Sequence, residues 1–161
     1  MLPDLELADD LWTRGTSHAL SAKALTDQAI GEATAQGAQD ASQLAFNGKY
    51  SVSIHLLIGY AFELLLKAEF LLLGGNPETL RMEIKHDLLQ ALDAAERSGF
   101  QSAISDLRWI LQHIREPHHN HQFRYGGPDK IQMPGLETTL PALEVLAKEV
   151  GNHLQNSLAS R

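Results

Sequence analysis

Residues 51–73 restrict the fold more than any other part of the chain. Ile54, Leu57, Ile58, Ala61, Leu65, Ala68 and Leu72 recur at helical period along a stretch with no proline, the pattern of a helix that must bury its apolar side. The stretch is about as long as a membrane span, yet it carries His55, Glu63, Lys67 and Glu69, each costly in lipid. It therefore reads as the central helix of a helical core. Tyr60, Glu63 and Lys67 form a second stripe, and a Glu four residues before a Lys has the favourable order for an intrahelical ion pair. That pair reads as a solvated or inter-helix salt bridge in preference to a ligand contact.

The remaining segments supply helices to surround it. Residues 16–47 are alanine-rich and free of proline, with Thr16 or Ser17 as a cap and small residues (Ala33, Gly37, Ala41, Ala45) at spacing four, so one long helix able to approach a partner closely is expected. Residues 1–15, with Pro3 and the Thr13, Arg14, Gly15 turn, read as an N-terminal arm or a short helical turn before the first long helix, pinned to the body by Trp12. After Gly74, Gly75, Asn76 and Pro77, a short helical piece over 78–84 leads to Asp87, which is placed to cap a third helix ending at Ser98 and Gly99. A fourth helix is expected over 102–115. Pro117, with no amide hydrogen and a ring that clashes with the preceding turn, should stop or kink it near Arg115 and Glu116. Residues 118–137 read as a long loop of the kind that carries function, and the last helix is expected to open near Pro141. With no β-like alternation, the expectation is an all-α, up-and-down bundle of four to five main helices, with a long loop before the last. Its 161 residues at 43% hydrophobic content suit one domain, residues 16–161, beyond the arm.

Composition removes several function classes. The chain has no cysteine, so disulfides, thiolate metal sites and a cysteine nucleophile are excluded. Its net charge of −7 is contrary to a general nucleic-acid coat. The acids are unevenly spread: residues 1–80 hold ten acids and four bases, whereas residues 81–130 hold seven of each and five histidines. An anion would bind in that second region. No phosphate-binding glycine loop and no nucleophile elbow are present. The beginning of the sequence, Met1 to Glu6, lacks the basic start and apolar run of a secretory signal, and a cytoplasmic location without membrane insertion is expected.

Chemistry concentrates at residues 113–125. His113, His118, His119 and His121 lie with Arg115 and Arg124 around Pro117, followed by Phe123 and Tyr125. Arginine grips phosphate through a planar fork, histidine moves protons near neutral pH, and aromatic rings stack on bases. Zinc requires three or four converging ligands, and this spacing matches no familiar zinc motif. No metal or other cofactor is expected.

Three features together resemble the HEPN superfamily of higher eukaryotes and prokaryotes: the Tyr60 to Ala68 run with Glu63 and Lys67 four apart, His86-Asp87-Leu88 opening the next helix, and Arg115 followed by His121 with five residues between. The resemblance spans roughly residues 38–125. It implies a homodimeric bundle in which two copies of the Arg and His motif meet in a cleft. It also implies binding of RNA or a nucleotide, metal-independent RNA cleavage in toxin–antitoxin or defence systems, and a nucleotidyltransferase-like antitoxin partner. Carried over by motif, Arg115 would hold the scissile phosphate and His121 would act as general base or acid, with His118, His119, Asn120, Arg124 and Tyr125 as further RNA or nucleotide contacts. The alternative from another class is a non-catalytic helical dimer that works as a protein-interaction module.

Overall fold

A computed structural model describes residues 4–120 and 132–160. Among these the chain is an all-α bundle with no strand. Its main helices are α1 (Leu5–Ala35), α2 (Ala41–Asn47), α3 (Ser51–Leu72), α4 (Leu88–Arg97), α5 (Leu107–His119) and α6 (Leu136–Ala159). Helix α3 is the central one. It packs along α1 over the longest interface in the molecule and also touches α2, α4, α5 and α6. Ile54, Ile58, Phe62, Leu65, Leu66 and Leu71 are fully buried there, so the core surrounds this helix on nearly every side. No helix among the described residues is long and apolar enough to cross a membrane.

Several boundaries differ from the sequence reading, each for a local reason. Residues 5–15 are not an arm but the opening turns of α1, because the Asp4 side chain accepts from the Leu7 amide and starts the helix there. Gly15 makes no turn: a methyl group at that position would lie 3.0 Å from Leu65 Cγ, so the glycine is a notch that lets α1 close on α3. Trp12 does pin this segment, donating its indole N–H to the Ala147 carbonyl of α6 at 2.9 Å. The expected single helix over 16–47 is broken at Gly37, whose φ of 77° allows paired bonds from the Ala38 amide to Ala33 and from the Gly37 amide to Thr34. That is the usual glycine-terminated helix end, and Gly74 and Gly99 end α3 and α4 in the same way.

At the other end of the chain, two prolines lie inside helices. Helix α5 starts at Leu107 instead of 102 and continues through Pro117 to His119. Pro117 gives up one backbone bond, but Ile114, Pro117 and His118 are all buried against the bundle, and the Asn120 amide closes the last turn on Glu116. Helix α6 begins at Leu136, five residues before Pro141. The expected loop over 118–137 is shortened from both sides accordingly. His121, Arg124 and Tyr125 lie outside the described residues.

Candidate functional site

The polar centre of the bundle is Glu63, halfway along α3 and only 2% exposed. Three donors converge on its carboxylate. Lys67, one turn later on the same helix, reaches Oε1 at 2.6 Å. His118, from the last turn of α5, reaches Oε2 through Nε2 at 2.6 Å. His86, from the turn before α4, contributes Nδ1 at 3.0 Å from Oε1. Burial alone pushes the Glu63 carboxyl upward, but the bond from His118 and the charge and bond of Lys67 outweigh it and hold the group down at about 2. An ionised carboxylate only accepts, so His86 donates through Nδ1–H and His118 through Nε2–H.

Next to it is a second carboxylate centre. Asp87 caps α4 by accepting from the amides of Leu89 at 3.0 Å and Gln90 at 3.2 Å. It also receives the fork of Arg115, with Nε at 3.0 Å from Oδ1 and Nη2 at 2.6 Å from Oδ2. Burial raises the Asp87 carboxyl, yet Arg115 and the two amides hold it below the ordinary carboxylate range. Asp87 in turn keeps Arg115 protonated more firmly than usual. The Arg115 side chain is 47% exposed, whereas Asp87 is buried, so the guanidinium stands at the surface on a fixed support. His86 and Asp87 are consecutive, and the two centres are thus tied through one peptide bond.

The turn that presents them is unusual. Residues Pro77–Thr79 form a single helical turn that passes into a π-helical turn, Leu80–Ile84. Lys85 then adopts φ 50° and ψ −111°, a conformation that a residue with a side chain rarely takes. The Lys85 amide bonds to Leu80 and the Asp87 amide to Ile84, so the strained turn is closed on both sides of His86. Backbone strain of this kind persists only where the surroundings impose it, and it clusters at functional sites.

The sequence-predicted residues are divided by this arrangement. Arg115 is half-exposed at the surface of the site, and His119 and Asn120 are exposed at the end of α5. His118 faces inward and is 4% exposed. Its ring packs edge-on against Tyr60 at 5.2 Å and lies directly over Gly59. His121, Arg124 and Tyr125 are outside the described residues. Glu63 and Lys67 form the anticipated ion pair, buried between helices. The sequence reading did not identify His86 and Asp87 as members of the same cluster as Arg115. The available signal was a histidine and a capping aspartate side by side at a helix start.

Among the described residues, no group of three or more histidine and carboxylate side chains is arranged to hold a metal ion. In the Glu63 cluster, the ring nitrogens facing the carboxylate already serve as donors to it. The fold and the site together define an all-helical bundle whose α3, α4 and α5 meet at two linked carboxylate centres. No protein-family model, curated protein or solved structure matches the chain.

Proposed function

We propose that this chain is a HEPN-like protein that binds RNA or a nucleotide at the exposed end of α5 and cleaves RNA without metal. It would do so as a homodimer of a toxin–antitoxin or defence system, with a nucleotidyltransferase-like antitoxin as partner. The observation that carries the reading is the setting of Arg115. One edge of its guanidinium, Nε and Nη2, is occupied by buried Asp87, and among the described residues Nη1 is the part left to meet an anion. A donor fixed in this way needs no reorganisation when negative charge develops on a phosphate, which is the physical basis of electrostatic catalysis. The Arg115–Asp87 pair is neutral overall, so Arg115 would act as a directed donor and not as a bare charge. In this scheme His121 moves the proton of the ribose 2′-hydroxyl or of the leaving oxygen.

The test is cleavage of single-stranded RNA by the purified protein in EDTA. Arg115→Ala and His121→Ala are each expected to abolish cutting with helicity unchanged, and undiminished cutting by both variants would sink the assignment. Sedimentation should return the mass of a dimer.

A specific observation favours the second reading, a non-catalytic interaction module. Arg115 and His118 are each already paired with a carboxylate within the chain, as structural pairs would be. Flat titrations with RNA and ATP, together with a stable complex with a co-purifying protein, would select it.

A further inference from the structure

We propose that His86 is a catalytic residue of this site: its imidazole accepts the proton of a ribose 2′-hydroxyl in single-stranded RNA, oriented by Glu63 and next in the chain to Asp87, which holds the phosphate donor Arg115. The proposal rests on the RNA-cleaving reading above and adds a separate proton acceptor to it, which leaves His121 the leaving oxygen.

Two histidines share the Glu63 carboxylate, and they differ in what they show to solvent. His118 is almost wholly buried. The His86 side chain is 54% exposed, while the carboxylate that holds it is 3% exposed. A buried carboxylate that accepts from Nδ1–H fixes both the tautomer and the plane of the ring, and makes Nε2 the basic nitrogen. Nε2 is also the nitrogen turned away from Glu63. Lys67, bound to Oε1 of the same carboxylate at 2.6 Å, helps keep Glu63 ionised throughout.

The position of His86 relative to Arg115 follows from the chain. Consecutive Cα atoms are about 3.8 Å apart, and the residue after His86 is the one Arg115 grips. The proton acceptor is therefore next in the chain to Asp87, the residue that holds the phosphate donor of α5. The turn that bears His86 is held by the Lys85 and Asp87 amide bonds and contains the positive-φ residue Lys85. This rigidity is what a group must have to reach a 2′-oxygen in line with a phosphorus.

The step balances without an added reagent. As the 2′-oxygen bonds to phosphorus, its proton passes to His86 Nε2. The bond from phosphorus to the 5′-oxygen breaks, and that oxygen takes its proton from His121, the leaving-oxygen role of the reading above. The products are a 2′,3′-cyclic phosphate and a 5′-hydroxyl end, and solvent then takes the proton from His86 and returns one to His121.

His86→Gln is the discriminating variant, because the glutamine amide still offers an N–H to Glu63 but no basic nitrogen. In EDTA it should cut single-stranded RNA about 100-fold or more slowly than the wild type, with an unchanged melting temperature. Added imidazole should restore part of the rate to His86→Ala. On unaltered protein, titration with uridine 3′-monophosphate should shift the His86 ring Cε1–H resonance. Wild-type cutting by His86→Gln overturns the proposal and leaves the RNA-cleaving reading intact, as does a stationary His86 signal while other resonances report binding. A wild-type protein that neither cuts RNA nor binds the nucleotide overturns both.

Discussion

At the scale of single residues, a missing methyl group decides whether the buried half of the site can form. Gly59 lies on α3 beneath His118, and a Cβ there would come within 2.5 Å of His118 Nδ1. The ring could not stay, and Glu63 would lose the partner it holds at 2.6 Å. Removing a hydrogen-bond donor from a buried carboxylate costs about 1.5–3 kcal/mol, while replacing a helical glycine by alanine returns about 1 kcal/mol. Gly59→Ala is thus expected to lose about 0.5–2 kcal/mol in urea unfolding. Gly31 is the internal control. It is exposed on α1, and a Cβ added there would meet nothing within 4 Å, so Gly31→Ala should gain about 0.5–1 kcal/mol. Equal stability of the two variants would mean that His118 does not occupy the notch over Gly59.

At the scale of elements, α3 carries two buried glutamates with opposite behaviour. Glu63 has three donors. Glu69, six residues on, has His153 Nδ1 at 2.6 Å on one oxygen, and its other oxygen is buried with no partner among the described residues. Burial wins at Glu69 and raises its carboxyl above the ordinary 4.5, against the opposing pull of His153. The depressed Glu63 contributes stability that is present above pH 4.5 and is lost as the pH falls towards about 2, on the order of 3 kcal/mol by linkage. The raised Glu69 has the reverse sign: ionising it costs the folded state more than the unfolded one, so its penalty grows as the pH rises above 4.5. Urea midpoints across pH 3 to 7 should therefore show Glu63→Gln falling further behind the wild type as pH rises, and Glu69→Gln gaining on it. Slopes of the same sign would contradict the two environments. The sequence made the Glu63–Lys67 order visible but not its burial, because α3 is apolar on so many sides that no outer face can be picked out. Gly74 and Gly99 could be read as helix ends because polar or turn residues accompany them. Gly15 and Gly37 exchanged roles, one expected in a turn and found as a packing notch, the other expected in packing and found ending α1. A glycine has no side chain to declare which use it serves, and only the partner across the interface decides. Pro117 misled for a related reason: its local penalty was legible, but the burial of Ile114, Pro117 and His118 that carries α5 past it is a tertiary effect.

At the scale of the whole molecule, charge determines how RNA could be held. The net charge is −7, and many surface cations are already paired: Arg14 with Asp10, Lys23 with Asp27, Lys49 with Glu32, Arg81 with Glu78, Arg108 with Asp93 and Glu96, Lys148 with Glu144. The least acidic region of the sequence, residues 81–130, includes the turn and helix that bear His86, Asp87 and Arg115. Arg81, Arg108 and Arg115 of that region are paired with carboxylates, so an RNA strand anchored there at Arg115 is expected to release few counterions when it binds. For single strands the logarithm of affinity falls with the logarithm of salt at about −0.7 per phosphate neutralised, and a slope of about −1.4 to −2.1 is expected for two or three such contacts. Arg115→Gln should weaken binding and reduce the steepness of that slope by about 0.7. Fluorescence anisotropy of a labelled oligoribonucleotide across a salt series measures both quantities. A slope of about −4 or steeper, unchanged in Arg115→Gln, would place the RNA on a broad basic surface elsewhere and remove Arg115 as its anchor.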